Sequence, residues 1–185
     1  MKNKNIYRIV LFIILFIFIY YERTEIENDL PQVENIATEA EIEIEDPQEG
    51  EIYYVSRVVD GDTFKIDKLG TIRLIGIDTP ETVDPRKEVQ CYGVEASNKA
   101  KELLEGKEIT LEFDNSQGDV DNYGRILAYV YMEDGRMFNE VMILEGYAHE
   151  YTYNTPYKYQ NEFKIAENNA RESKLGLWGP ICADN

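Results

Sequence analysis

The sequence predicts an α+β domain in which a small five-stranded β-barrel carries three helices, preceded by an apolar N-terminal segment and an acidic linker. Three observations support this prediction. Short runs of β-branched and aromatic residues, separated by turn residues, occupy much of the chain after position 50. Apolar residues at helical spacing lie between and after these runs. The chain of 185 residues is long enough for one domain with its own core and an extension.

The strand signals begin near residue 51. Residues 51–60 (EIYYVSRVVD) are rich in β-branched and aromatic side chains, and the Gly61-Asp62 pair after them is typical of a turn. The runs 63–67 (TFKID) and 71–77 (TIRLIGI) follow, with a turn between them. We therefore expect a three-stranded meander.

Helical spacing appears next, in residues 94–106 (VEASNKAKELLEG), where alanines and leucines share one face and a glycine ends the helix. Residues 108–114 and 124–139 are interpreted as two further strands, the second of which turns at its EDG sequence. The barrel would then be complete.

Two more helices are predicted after these strands, a short one over residues 139–148 that ends at Gly146 and a last one over residues 159–176. Five strands with inserted and appended helices suit a small closed barrel of the oligonucleotide-binding (OB) type.

The N-terminal segment, residues 1–21, combines a basic start with thirteen consecutive apolar residues. This length suits the core of a signal sequence better than a full membrane span, which needs about 20 residues. No small-residue cleavage site directly follows the apolar run, which favours an uncleaved signal-anchor, with a cleaved secretory signal as the alternative. In both cases the basic flank predicts that the rest of the chain lies outside the cytoplasm, anchored to the membrane or secreted.

Charge is distributed unevenly along the chain, whose formal net charge is −17. Residues 22–51 hold twelve acidic residues and a single arginine, so residues 22–50 are interpreted as a disordered acidic tether. The globular domain is assigned to residues 51–182 and is itself acidic. Because phosphate binding normally needs a basic surface, a nucleic-acid partner would require a local cluster of cations or a bound metal.

Three short segments of the domain concentrate chemically active side chains. They contribute, in chain order, Asp60 and Asp62; Arg73, Asp78, Thr79 and Glu81; and Asp119, Asp121 and Arg125. Taken singly, each segment is also typical of a turn or loop, and none has the spacing of an EF-hand. Together they offer hard oxygen ligands for Ca²⁺ or Mg²⁺, two guanidinium groups for phosphate oxygens and a glutamate for a water molecule. Metal-assisted hydrolysis of a phosphodiester requires this inventory.

The same segments resemble the staphylococcal nuclease (thermonuclease) family. The matching words VDGDT, RLIGIDTPET, YGVEAS, DNYGR and LGLW lie between Tyr53 and Trp178. The resemblance implies the family's OB-fold barrel and an enzyme that hydrolyses DNA and RNA to give 3′-phosphate ends. It also implies one Ca²⁺ ion as cofactor. We expect a monomer.

The family's functional residues can be carried over one by one. Its catalytic residues fall on Arg73, Glu81 and Arg125, and its calcium ligands fall on Asp62, Asp78 and the backbone carbonyl of Thr79. In the family's mechanism the arginines bind the phosphate and stabilise the transition state, the glutamate acts on the attacking water, and the ion polarises the phosphodiester.

Further positions match contacts to the substrate. Lys87 and Tyr123 match residues that contact the nucleotide phosphate, and Tyr151 and Tyr153 match tyrosines beside the base or terminal phosphate. The loop before Tyr151 is one residue shorter than in the type member, and tyrosines that pack the loop against the barrel are the alternative for this pair. Asp121 matches an acid near the metal and is equally interpretable as a plain loop acid.

Cys91 and Cys182 depart from the type member, whose mature domain lacks cysteine. In an exported protein two cysteines suggest one disulfide, and two free thiols are the alternative. His149, the only histidine, is expected at the surface, and Trp178, the only tryptophan, is expected to pack at the end of the last helix.

These observations predict a Ca²⁺-dependent, sugar-nonspecific nuclease that acts outside the cytoplasm. The alternative is a catalytically inactive binding module for nucleic acid or protein, tethered to the membrane. Such modules usually lose one of the acids or arginines, whereas this sequence keeps them all. A tethered interaction protein that uses the acidic linker would explain residues 22–50 and none of the three segments.

Overall fold

The computed structural model describes residues 13, 14, 17–20, 47–82 and 88–182. The chain divides into two compact units, Met1–Glu41 and Ile42–Asn185. In the first unit, residues 13, 14 and 17–20 are helical and their side chains are exposed. Across the part of the chain that is described, no helix combines the length and the apolarity that crossing a membrane requires. The predicted acidic tether lies almost entirely outside the described residues.

Within residues 47–82 and 88–182 the structure has seven strands and three α-helices. The strands are β1 (Ile52–Asp60), β2 (Thr63–Ile66), β3 (Gly70–Leu74), β4 (Ile77–Asp78), β5 (Glu108–Glu112), β6 (Ile126–Met132) and β7 (His149–Glu150). The helices are α1 (Gly93–Leu104), α2 (Phe138–Leu144) and α3 (Gln160–Glu172), and two short 3₁₀ turns follow at Gly176–Trp178 and Pro180–Cys182.

Five of the strands form a closed barrel in the order β1-β2-β3-β6-β5. The β1-β2-β3 meander is antiparallel, as predicted, and β6 pairs antiparallel with β5, which returns to β1. The one parallel pair joins β3 to β6. Closure leaves the barrel without free sheet edges. The predicted fold class, a five-stranded OB barrel with helices, is confirmed.

A bulge in β1 turns Asp60 toward the interior at the end of the strand. Tyr53 and Val55 point into the core at the two-residue period of a strand, but the register with β2 then slips before Arg57. The next inward residues are therefore Val58 and Asp60. A bulge re-aims the side chains that follow it, and here it turns an aspartate inward at the end of the strand.

The run 71–77 is not one strand, contrary to the prediction. β3 ends at Leu74, and β4 pairs outside the barrel with β7. Gly76 breaks the run because its φ of +78° lies in the left-handed region, and a Cβ there would lie 2.6 Å from the ring of Tyr157 and 2.9 Å from Phe163. The chain thus leaves the barrel just before Asp78.

Gly76→Ala is expected to lower the free energy of unfolding by about 2–4 kcal/mol, because a positive φ and an overpacked core each contribute a cost. Gly135 is the matched control: its φ is +80°, and a Cβ there would meet nothing within 4 Å. Gly135→Ala should therefore cost only the backbone part, about 1 kcal/mol. Urea unfolding of both variants measures the difference, and equal losses would show that the aromatic packing around Gly76 contributes nothing.

The helices differ from their predicted bounds by a few residues at most of their ends. α1 packs on β1 through Ala96, Ala100 and Leu104, which are all buried. The predicted helix 139–148 is shorter in the structure, because α2 ends at Leu144 and the chain then enters β7, a strand that the sequence did not predict. The short strand matters because it pairs with the strand that carries Asp78.

A disulfide joins Cys91, in the turn before α1, to Cys182 in the last 3₁₀ turn, with the Cα atoms 5.8 Å apart. The C-terminal segment also contacts the body of the domain through Trp178. The Trp178 ring meets the His149 ring edge to face at 4.8 Å between centroids, and the Arg171 Cζ atom lies 3.7 Å from the Trp178 centroid. The last residues are therefore held both covalently and by packing.

Candidate active site

Asp62 is a buried acid that ties three segments together. Its Oδ1 accepts a hydrogen bond from Thr63 Oγ1 at 2.9 Å. Its Oδ2 accepts two from Thr79, from the backbone N–H at 2.9 Å and from Oγ1 at 3.0 Å, and also contacts Arg73 Nη1. The β1–β2 turn, strand β3 and the segment after β4 therefore meet at one carboxylate.

The close approach of Thr79 depends on the glycine in that turn. A Cβ on Gly61 would lie 2.7 Å from Thr79 Cγ2 and 2.8 Å from Thr79 Oγ1. Thr79 is itself buried, so it has little room to retreat. The Asp-Gly-Asp sequence is thus more than a turn signal, because the glycine lets a threonine from a distant segment reach Asp62.

The Arg73 guanidinium lies between two carboxylates. Nη2 pairs with Asp78 Oδ1 at 2.9 Å and donates to the Ile77 carbonyl at 3.2 Å, while Nη1 contacts Asp62. Nη1 is buried, and its partner is the Asp62 carboxylate. Burial lowers the pKa of Arg73 and the nearby charge of Arg125 lowers it further, against the opposing effect of Asp78. An arginine nevertheless stays charged at neutral pH.

Glu81 follows this cluster by a few residues and is held through its backbone. Its N–H donates to Gln90 Oε1 at 2.8 Å, and its carbonyl accepts from the Gln90 N–H at 3.0 Å. The next residue, Thr82, donates from Oγ1 to the buried Asp60 at 2.8 Å. Burial raises the pKa of Asp60, against the hydrogen bonds from Thr82 and Gly61. Asp60 and Gln90 therefore hold the Glu81 segment from two sides.

Arg125 is oriented by Asp121. Asp121 Oδ2 accepts from Arg125 Nε at 2.6 Å and pairs with Nη2 at 2.6 Å, while Oδ1 accepts the backbone N–H groups of Tyr123 and Arg125. Burial raises the pKa of Asp121, but the hydrogen bonds from Arg125 and Tyr123 and the charge of Arg125 together leave it below its ordinary value. The sequence suggested that Asp121 is either an acid near the metal or a plain loop acid. In the structure Asp121 is the ion-pair partner of Arg125, a contact that neither interpretation named.

The two arginines converge on one place. Arg125 Nη1 lies 3.4 Å from Thr63 Oγ1, the same hydroxyl that donates to Asp62, and Asp62 contacts Arg73. Charge repulsion between the two guanidinium groups contributes to the lowered pKa of Arg73. Two cations and the carboxylates of Asp62 and Asp78 thus gather at one end of the barrel, and Asp121 adds a third carboxylate.

The predicted substrate-binding tyrosines are exposed. Tyr123 is 85% exposed, with its ring centroid 5.4 Å from Arg125 Cζ. Tyr151 and Tyr153 are also exposed, and their ring centroids lie 6.3 Å apart. The tyrosine that packs this loop against the barrel is Tyr157, whose hydroxyl donates to the Gly76 carbonyl at 3.2 Å. Lys87 lies outside the described residues.

The predicted calcium ligands suit a hard cation. Asp62 and Asp78 each place a carboxylate oxygen on the Arg73 guanidinium, so these two oxygens already face a positive charge. The Thr79 backbone contacts Asp62 through its N–H group. Carboxylate and carbonyl oxygens are the ligands that Ca²⁺ takes in proteins. In the described ranges no group of three or more His, Cys, Asp or Glu side chains is arranged for a metal, so the set depends on two carboxylates and a carbonyl.

Three residues of the site were not assigned a role from the sequence. Asp60 and Thr63 stand in the first motif and attract attention only through their neighbours, whereas no sequence pattern points to Gln90. Asp60 contacts Thr82, 22 residues away in the chain, and Thr63 contacts Arg125, 62 residues away. Gln90 contacts Glu81, 9 residues away. Such contacts follow from the closed barrel rather than from a local pattern.

Comparisons with known proteins identify the family of this chain. The family model described as "Staphylococcal nuclease homologue" matches residues 71–180. The chain is 44% identical over 129 residues to the thermonuclease of Staphylococcus hyicus, covering 68% of this chain and 75% of that protein. It is 45% identical over 132 residues to the thermonuclease of Staphylococcus intermedius, covering 70% and 77%. With endonuclease YncB of Bacillus subtilis (strain 168) it shares 43% identity over 129 residues, covering 67% and 60%. The chain therefore belongs to the staphylococcal nuclease family.

Proposed function

We propose that this protein is a Ca²⁺-dependent nuclease that hydrolyses phosphodiester bonds of DNA and RNA and leaves 3′-phosphate ends. The observation that carries the proposal is the meeting of Arg73 and Arg125 with two carboxylates at one end of the barrel. Relatives named thermonuclease and endonuclease support nuclease activity.

The two arginines bind the phosphate. The Arg125 guanidinium is held by Asp121, so little side-chain freedom remains to be lost when a phosphate oxygen binds. The Arg73 guanidinium is buried and paired with Asp62 and Asp78, so its orientation beside Arg125 is also fixed. Donors that are fixed before the reaction stabilise developing charge without reorganisation.

Glu81 acts on the attacking water. Its backbone is fixed on both sides, so its carboxylate can accept a hydrogen bond from one water in a defined place. Asp62, Asp78 and the Thr79 carbonyl would hold Ca²⁺, whose charge would polarise the phosphodiester and offset the negative charge of this acidic domain. The exposed tyrosines Tyr123, Tyr151 and Tyr153 would contact the nucleotide, and stacking on a base is tolerant of sequence.

Digestion of plasmid DNA and of RNA by the full chain, with Ca²⁺ or with a chelator, tests this function. Both substrates should be cut only when Ca²⁺ is present. The fragments should carry 5′-hydroxyl ends, which accept phosphate directly from a polynucleotide kinase, because the phosphate stays on the 3′ side. Cutting that survives chelation, or no cutting by folded protein, would contradict the proposal.

We also propose that the protein works outside the cytoplasm as a monomer, with residues 1–21 as a signal-anchor or signal peptide, residues 22–50 as a tether and residues 51–182 as the nuclease domain. The disulfide supports this location, because disulfides persist in oxidising compartments. The N-terminal mass of protein recovered from the cell surface and from the medium distinguishes an anchored from a cleaved form; recovery only from the cytosol would contradict both.

A further inference from the structure

Gln90 forms hydrogen bonds with the backbone of Glu81 on both sides of the Glu81 Cα atom. The Gln90 side chain accepts the Glu81 N–H at 2.8 Å, and the Gln90 backbone N–H donates to the Glu81 carbonyl at 3.0 Å. The first bond restrains the peptide plane before Glu81 and the second restrains the plane after it. Because the two planes fix φ and ψ, they also fix the direction in which the Glu81 side chain leaves the backbone.

The residues that follow Gln90 are anchored in a different part of the molecule. Cys91 is bonded to Cys182, and Tyr92 stacks on Tyr147 with 5.4 Å between ring centroids. Tyr92 also has a φ of +67°, a left-handed conformation that a tyrosine keeps only when its surroundings hold it. Gln90 is therefore attached directly to a fixed point rather than to a free loop.

Close packing adds a further restraint on the same segment. A Cβ on Gly93 would lie 2.7 Å from Thr82 Cγ2, 2.9 Å from the Pro80 carbonyl oxygen and 3.3 Å from the Glu81 carbonyl oxygen. The start of α1 thus lies directly against the residues on either side of Glu81. A shift of Cys91 away from the C-terminal segment would move both the Gln90 bonds and this packing.

We propose that Gln90 is a positioning residue for Glu81 and that the Cys91–Cys182 disulfide acts through it, so that the disulfide sets the rate of the reaction as well as the stability of the fold. The inference rests on the proposed function, in which Glu81 acts on the attacking water. A displacement of about 1 Å in such a group can cost up to about 100-fold in rate.

Two variants of Gln90 test the positioning role in the full chain. Gln90→Met keeps the length of the side chain and removes the acceptor; it should lower kcat about tenfold or more and leave KM within about twofold. Gln90→Glu keeps an oxygen that accepts the Glu81 N–H and should restore most of the rate. Lys107→Met is the control, because it removes an exposed side-chain bond to the Glu102 carbonyl at the other end of α1. This control should match the wild type.

The disulfide is tested by combining Cys91→Ser and Cys182→Ser at a temperature where the variant is folded by circular dichroism. The serine pair should lower kcat with KM little changed, and adding Gln90→Met should lower kcat by less than the product of the separate effects, because both act on Glu81. Amide exchange at Glu81 should be faster in Gln90→Met and in the serine pair, and unchanged in Lys107→Met.

The outcomes separate the two proposals. No cleavage by wild-type protein with Ca²⁺ would overturn the proposed function and this inference with it. If the wild type cleaves DNA and Gln90→Met has the same kcat as the wild type, the inference alone is overturned. Equal kcat in Gln90→Met and Gln90→Glu, or a serine pair with wild-type kcat, would also overturn it.

Discussion

Glu81→Gln is expected to lower the rate of DNA cleavage about 1,000-fold, within the range of general acid–base catalysis. The amide has the shape of the carboxylate but cannot take a proton from water and lacks the negative charge that orients it. The two hydrogen bonds between residue 81 and Gln90 come from the backbone of residue 81, so the substitution leaves them in place. Single-turnover cleavage of a labelled oligonucleotide at saturating Ca²⁺ measures the effect.

Two controls separate chemistry from folding. Glu81→Asp keeps the charge and withdraws it by one methylene, so its rate should lie between those of the wild type and Glu81→Gln. Glu162→Gln makes the same chemical change at an exposed position in the first turn of α3 and should leave the rate unchanged. If Glu81→Gln cleaves at the rate of the wild type, Glu81 has no part in activating water.

Arg125→Ala should lower kcat by about 100- to 1,000-fold, the usual loss when a donor to developing charge is removed. KM should rise less than kcat falls, because the interaction is stronger in the transition state than in the bound substrate. The Arg125 side chain is 30% exposed and lies outside the apolar core, so the fold should survive. Steady-state cleavage, with thermal unfolding measured alongside, checks both statements.

The chain offers a closely matched control for this arginine. Arg136 and Asp134 repeat the geometry of Arg125 and Asp121: Nε donates to Asp134 Oδ2 at 2.8 Å, Nη2 pairs with it at 2.7 Å, and the backbone N–H donates to Oδ1 at 3.0 Å. This pair lies in the turn after β6, and both side chains are exposed. Arg136→Ala should keep full activity. Equal kcat in the two alanine variants would reduce Arg125 to a structural residue.

The strands and helices of the barrel were predictable because their signals are local. Runs of β-branched and aromatic residues mark β1, β2 and β3, turn residues separate them, and α1 and α3 show a helical period. The break at Gly76 was not predictable, because RLIGI has the composition of an unbroken strand. The reason for the break is the Tyr157 ring, which arrives from a segment 81 residues later.

The site shows the same division. Acids and arginines in short motifs are enough to identify Arg73, Glu81 and Arg125 as candidates from the sequence alone. The residues that hold these groups in place have no such signal. Gln90 is an ordinary polar residue in sequence, and Asp121 could be seen as an acid but not as the partner of Arg125. The residue type shows which side chains can take part in the reaction. The residues that hold those side chains in place are identified only by distances in the folded chain.

The C-terminal contact has a practical consequence for experiments. Trp178 is the only tryptophan of the chain, its ring contacts His149 and Arg171, and it lies four residues before Cys182 of the disulfide. The tryptophan fluorescence therefore reports on one contact, the packing of the C-terminal segment against α3 and β7. Detachment of this segment can be followed without a label by the change in indole emission, while circular dichroism follows the barrel separately. Trp178 is thus an intrinsic fluorescent probe close to Cys182, the C-terminal cysteine of the disulfide.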